Sequence, residues 1–219
     1  MNFGCISSNS IFLIFRRNIR RTPSSEFGLL LYAKVIVTFG TLALSGYQVG
    51  MQALSLSYIP NGAFALSAAT LVGQNLGAVD KQAAKRSGWT CLFWAIVFMC
   101  SLGIMYFFMA RVIASLFVKD QEVIKVAVSF IKVMAISQLG MAIFFTLAGA
   151  LRGAGDTRSP LLVTLLGMYG IRIPAAWIVT SILGMGVEIT FSVLFFDYIV
   201  RISTILYIYH RGKWLGTKI

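Results

Sequence analysis

The chain has 219 residues, of which 58% fall in the apolar set AVILMFWYC and only 12% are charged, against roughly 25% charged in soluble proteins. With a mean hydropathy of +0.83, such a chain has too few polar groups to cover a water-facing surface, so the soluble and disordered classes are excluded. Nineteen basic and seven acidic residues leave a net charge of +12. In a chain this apolar the surplus points to loops facing anionic lipid rather than to nucleic acid as a partner.

Residues 1–22 form a basic N-terminal segment. Its apolar core, Ile11 to Phe15, is too short for a span, and no positive charge precedes it as in a signal peptide. Arg16, Arg17, Arg20 and Arg21 suit a short basic helix on the membrane surface; a non-native start fits equally well. From Val35 to Val79 the sequence runs 45 residues without a charge, about twice the ~20 that cross a bilayer. Two spans share it, near 26–43 and 47–73, with a hairpin marked by Gly40, Gly46 and the small residues around Leu42 to Ser45. A third span at 89–110 is bounded by Arg86 and Arg111. A fourth at 123–149 carries Lys125 and Lys132 in its first half, and a fifth at 160–183 and a sixth at 187–209 follow. The expected fold is therefore an all-α membrane protein, a six-helix transmembrane unit over residues 23–210 with a cytoplasmic tail at 211–219. No soluble domain fits in the remaining length.

Six spans place both termini on one side. That side collects Arg16, Arg17, Arg20, Arg21, Lys81, Lys85, Arg86, Arg152, Arg158, Arg211, Lys213 and Lys218, while the other holds Arg111, Lys119 and Lys125. The asymmetry predicts a plasma-membrane protein with both termini in the cytoplasm.

The strongest internal signal is a repeat. Gly73-Gln74-Asn75-Leu76-Gly77-Ala78-Val79-Asp80 and Gly149-Ala150-Leu151-Arg152-Gly153-Ala154-Gly155-Asp156 share the pattern G-x-x-x-G-A-x-D, and each ends an even-numbered span. The first Gly suits close helix approach, the second a left-handed C-cap, and the Asp a cap for the next helix; two helix ends that are alike by chance are the alternative. Pro60 in span two and Pro174 in span five each remove a backbone hydrogen bond where lipid offers none, which predicts kinks.

Ionisable residues at membrane depth are costly and mark functional positions. Lys34, Lys132, Arg172, Asp197 and Arg201 qualify. Polar residues align on single helix faces at ~100° per residue: Lys34, Thr38, Thr41 and Ser45 on span one, Gln48, Gln52 and Ser55 on span two, and Thr190, Asp197, Arg201 and Thr204 on span six. Asp197 and Arg201 stand i, i+4 and are placed to neutralise each other. Facing inward, the three stripes describe a wet cavity; interhelical hydrogen bonding and snorkelling are the plainer alternative. Catalytic signatures such as GxSxG, HExxH or a Walker loop are missing, so no enzyme is expected. Cys5, Cys91 and Cys100 lack the spacing of a metal or disulfide framework.

Several segments together resemble the multidrug and toxic compound extrusion (MATE) family: Ser57 to Ala78, with Pro60, Gly62, Gly73, Gln74 and Gly77; Gly149 to Pro160, with Arg152, Gly153, Gly155, Asp156, Thr157 and Arg158; and Ile171-Arg172-Ile173-Pro174. The resemblance runs from about Pro23 to the C-terminus. It implies one six-helix lobe, looking like the second, of a two-lobe transporter that exports organic cations or drugs in exchange for H+ or Na+, with no other cofactor and with a second lobe as partner. The sequence departs from the family where sodium-coupled members carry an acid midway along the fourth helix of this lobe: here the chain reads Ser137-Gln138-Leu139-Gly140-Met141. Glu26 stands near the Glu that the family places at the start of this lobe, one residue out of step. Lys34, Gln48, Gln52, Arg172, Asp197, Arg201 and Glu26 are the expected pathway residues. A lipid-linked sugar flippase of the wider superfamily, whose cavity would hold anionic headgroups with basic residues, and a non-transporting membrane fragment are the alternatives.

Overall fold

A computed structural model describes residues 32–33, 36–179 and 187–216. Among these, five long helices follow one another in short-looped succession: α1 Thr41–Gly77, α2 Lys81–Phe117, α3 Gln121–Gly153, α4 Arg158–Trp177 and α5 Val187–Arg211, with a single 3-10 turn at Lys213–Gly216. The protein is an all-α, multi-pass membrane protein. Helices α2 to α5 are long and apolar enough to cross a bilayer. Helix α1 is as long as α2 and uncharged, but Gln48, Gln52, Asn61, Gln74 and Asn75 dilute its apolar character. Of the first expected span, residues 32–33 and 36–43 are described, helical at 32–33 and 36–37 before a turn into α1, and Glu26 and Lys34 lie outside the described residues.

The spans expected from charge boundaries are shorter than the helices. At 1.5 Å per residue a 37-residue helix is about 55 Å long, against roughly 30 Å of hydrocarbon. Backbone hydrogen bonding does not stop where the charges begin, so α2 starts at Lys81 with Lys85 and Arg86 already in its first two turns. The hairpin between the first two spans also lies elsewhere. The chain turns at Thr38 to Gly40, with Gly40 at a φ of 96°, a conformation that a Cβ disfavours. Gly46 is instead inside α1 and buried, because a Cβ there would lie 2.6 Å from the Cβ of Val126 on α3.

Helix α3 is the axis of the lobe. It packs on α1, α2 and α5 and buries 19 of its 33 residues, as expected of a helix apolar all round. Helix α2 buries ten of 37 and turns Phe93, Trp94, Val97, Phe98, Ile104 and Phe108 outward, a face suited to lipid tails. The α1–α3 seam is built of small residues. A Cβ on Gly149 would fall against the Ala65 backbone, one on Gly153 would lie 2.6 Å from Ala69 Cα, and one on Gly73 would lie 3.1 Å from the Gly153 carbonyl oxygen. The first glycine of each repeat therefore serves close approach.

The second glycine of each repeat does not take the left-handed position. Gly77 and Gly153 close their helices, and the left-handed residues come two positions later, at Val79 (φ 62°) and Gly155 (φ 84°). The amide of Asp80 donates to the Asn75 carbonyl and that of Val79 to Leu76; Asp156 donates to Leu151 and Gly155 to Arg152. Both ends are thus the same Schellman turn. Asp80 Oδ1 then accepts from the Ala83 amide at 2.8 Å to cap α2, and Asp156 accepts from the Ser159 amide at 3.0 Å and the Ser159 hydroxyl at 2.5 Å. In both repeats the first glycine allows close packing and the Asp caps the next helix; only one repeat has a glycine where the backbone is strained.

Candidate functional site

Helix α4 is irregular where it matters. Leu166–Arg172 widens into a π-helix before the helix returns to α at Ile173–Trp177. Pro174 has no amide to donate, and its ring crowds the carbonyl four residues back. Widening the preceding turn removes that clash, and wide turns of this kind recur at functional positions. The π segment ends on Arg172, whose side chain it carries into the lobe.

There Arg172 meets the pair expected on the last helix. Asp197 Oδ1 accepts from Arg201 Nε at 2.7 Å, and Asp197 Oδ2 lies 2.6 Å from Arg172 Nη2. Asp197 is fully buried, and Arg172 and Arg201 are 8% and 7% exposed. The Arg172 contact is an ion pair without hydrogen-bond alignment, and Arg172 Nε, also buried, meets no acceptor. Two guanidinium groups on one carboxylate leave a surplus positive charge. Arg201 lies ten positions before Arg211, about 15 Å along α5, and Asp197 fourteen positions, about 21 Å. With Arg211 taken as the edge of a roughly 30 Å hydrocarbon core, these distances put the cluster near its middle.

Its neighbours hold it in place. Gly167 on the π segment faces Asp197 Oδ1, and a Cβ there would stand 2.5 Å from Arg201 Nε, so only glycine lets α4 close over the ion pair. Arg201 lies over the rings of Phe144 (5.6 Å) and Tyr198 (5.9 Å), and Arg172 over that of Tyr32 (6.0 Å), contacts that favour a desolvated guanidinium. Tyr32 donates its hydroxyl to the Thr190 carbonyl at 3.0 Å. A cavity of about 310 Å³ adjoins the cluster, lined by Tyr58, Phe144, Phe145, Arg152, Thr164, Met168, Arg172, Tyr198 and Arg201. On its other side a void of about 20 Å³ touches Tyr47, Tyr58, Arg172 and Tyr198, room for one water.

A second polar cluster joins α1 to α3. Gln138 Nε2 donates to Ser57 Oγ at 2.8 Å and Asn61 Nδ2 to the Ser57 carbonyl at 3.0 Å, all of them buried. It lies beside Pro60, through which α1 runs without a break.

Of the residues expected on the pathway, Arg172, Asp197 and Arg201 come together. Gln48 and Gln52 are exposed on α1 and line neither the cavity nor the void. Lys132 is exposed on α3, 5.8 Å over the Phe107 ring. Arg152 joins the cavity rim from the end of α3, while Gly73, Gln74, Gly77, Gly153, Gly155 and Asp156 build the two Schellman turns and the seam. The sequence reading missed Gly167, Tyr58, Tyr198 and the Ser57–Gln138 link. An uncharged glycine in a run containing Gly170 has no signal of its own, although Tyr198 stands between two flagged residues.

The helical bundle has a buried ion cluster and Schellman turns ending α1 and α3, and the MatE family model matches its residues 27–178. The chain belongs to the MatE family. Among MatE relatives, the probable multidrug resistance protein NorM of Thermotoga maritima is 27% identical over 190 residues, which cover 85% of this chain and 40% of that protein. The probable NorM of Brucella suis biovar 1 is 30% identical over 164 residues, covering 72% of this chain and 35% of the other. A crystal structure of MATE in the straight conformation superposes with a TM-score of 0.80 at 17% identity, over 90% of this chain and 44% of that one. The chain spans about two fifths of the length of the relatives it matches, which accords with one lobe of the MatE fold.

Proposed function

We propose that the chain is the C-terminal lobe of a multidrug efflux antiporter that exports xenobiotics by alternating access, driven by inward H+ or Na+. The observation that carries this reading is the Arg172–Asp197–Arg201 cluster: a charged group of three, fully or nearly buried at mid-membrane depth and beside a cavity of about 310 Å³. A purely structural helix bundle gains little from such a group, since apolar packing of similar volume does as well or better. Efflux needs no covalent step. Ion and substrate each favour a different inward- or outward-facing state, and exchange follows from that difference in affinity. In this reading the second lobe completes the pathway, organic cations are the substrate class that the family resemblance implies, Glu26, Lys34, Gln48 and Gln52 lie along the route between lobes, and both termini face the cytoplasm at the plasma membrane.

Everted membrane vesicles carrying the chain, alone and together with a second six-helix lobe, test it. Uptake of a fluorescent organic cation that depends on an imposed H+ or Na+ gradient, and that Asp197→Asn reduces at least tenfold, is the expected result. No gradient-dependent uptake in either preparation would sink the proposal. Gradient-driven uptake by the chain alone would remove the second lobe from it.

A further inference from the structure

We propose that Arg172 and Arg201, bridged by Asp197, form a subsite for the oxyanion of an amphiphilic ligand, a carboxylate or phosphate group attached to an apolar ring body. The inference goes beyond the transport reading, adding an anionic ligand class to the organic cations named there, and its binding does not depend on transport.

Charge decides the class of ligand. Both oxygens of Asp197 are paired with guanidinium groups at 2.6 and 2.7 Å and the residue is fully buried, so an ammonium ion reaches this carboxylate only by displacing an arginine. Its two partners carry one positive charge more than it can balance, and Arg152 at the rim of the cavity adds another. Among the residues whose side chains are described the remaining carboxylates are committed elsewhere: Asp80, Asp120 and Asp156 cap turns or helices, and Glu122 pairs with Lys125 at 2.7 Å. A surplus guanidinium charge in a low-dielectric interior favours an anionic partner.

Geometry supplies the receptor. Arg201 spends its Nε on Asp197, which leaves its two Nη atoms without a protein acceptor among the described residues, and Arg172 Nε is buried and equally unmatched. Both side chains line the cavity and are held over aromatic rings, Arg201 by Phe144 and Tyr198 and Arg172 by Tyr32. A planar fork fixed in this way is preorganised for an oxyanion. Tyr58 and Phe145, edge to face at 5.9 Å, offer the wall against which a ring body stacks.

The test compares 2-naphthylacetate with 2-naphthylmethylammonium, two ligands with the same ring and opposite charge, binding at equilibrium to the full chain in phosphatidylcholine nanodiscs. The anion is expected to bind at least tenfold tighter than the cation. Arg172→Gln and Arg201→Gln, each checked for a monodisperse and thermally cooperative preparation, are expected to bring that ratio close to one. Equal binding of both ligands by the unaltered chain, or a preference for the cation, overturns the proposal even if neither variant folds. An anion preference that survives in both folded variants overturns it too, since the site would then lie elsewhere. Nanodiscs containing phosphatidylglycerol separate two sources of the oxyanion: displacement of 2-naphthylacetate shows that a lipid headgroup occupies the same site, and undiminished binding shows a site for free anions. A chain that binds the anion but drives no uptake with a second lobe keeps the subsite and removes the transport reading.

Discussion

Replacing Gly167 with Ala tests whether the buried ion cluster depends on close approach of the π segment. The added methyl would stand 2.5 Å from Arg201 Nε and 3.0 Å from Arg201 Cγ, and closest of all to Asp197 Oδ1. Relief requires roughly 1 Å of movement. If that opens the 2.7 Å Asp197–Arg201 contact to about 3.7 Å, the Coulomb attraction at an effective dielectric of 20 falls from about 6 to about 4.5 kcal/mol. Overpacking adds about 1–3 kcal/mol, so the expected loss is about 2.5–4.5 kcal/mol. For a chain of this size that corresponds to a fall in Tm of roughly 5–18 °C, readable as loss of the monodisperse peak after heating in detergent. Gly170→Ala is the matched control: it lies in the same π segment, but its Cβ would meet nothing within 4 Å, and its Tm is expected to hold or rise slightly. A Gly167→Ala protein melting within 2 °C of the parent would refute the reasoning, because the ion pair would then have room that the structure denies it.

Three further outcomes are expected from the same thermal assay. Val79→Gly is expected to stabilise by about 1 kcal/mol, because Val79 is 82% exposed and holds a φ of 62° that costs a β-branched residue strain without packing in return; Gly155→Val is expected to do the reverse. Gly149→Ala is expected to destabilise by about 1–3 kcal/mol or more, because its methyl meets the Ala65 backbone, while Gly77→Ala, with open space around it, is expected to be near neutral. Ser57→Ala removes the only acceptor shown for Gln138 Nε2 and is expected to cost about 1–3 kcal/mol. Adding Gln138→Leu is expected to recover most of that loss; a strictly additive double variant would show that the two side chains are not coupled.

Much of the architecture was legible in the sequence, and the reason is the solvent. A bilayer forces backbone groups to pair within each segment, so uncharged runs bounded by basic residues become helices wherever they occur, and Trp89 to Ala110 could be read directly as one. The repeated pattern ending at Asp80 and Asp156 was equally local, since a Schellman turn and its capping Asp are settled by residues within one turn of each other. So was the Asp197–Arg201 pair, four residues apart on a single helix. The hairpin was misplaced because Gly40 and Gly46 look alike in sequence; what separates them is a positive φ at one and the side chain of Val126 against the other.

The sequence by itself determined the membrane class, the order of the five described long helices, the capped turns that end α1 and α3, and the short-range ion pair, all consequences of hydropathy and of contacts within a turn or two. Tertiary structure alone decided that Arg172 is the third member of the cluster, 25 residues from Asp197, that Gly167 must lack a side chain, and that Gln48 and Gln52 are exposed and line neither the cavity nor the void. Those facts depend on how helices rotate about their own axes when they pack. A π turn before Pro174 and a seam of glycines between α1 and α3 set that rotation, and neither can be computed from the spacing of charges along one strand of sequence.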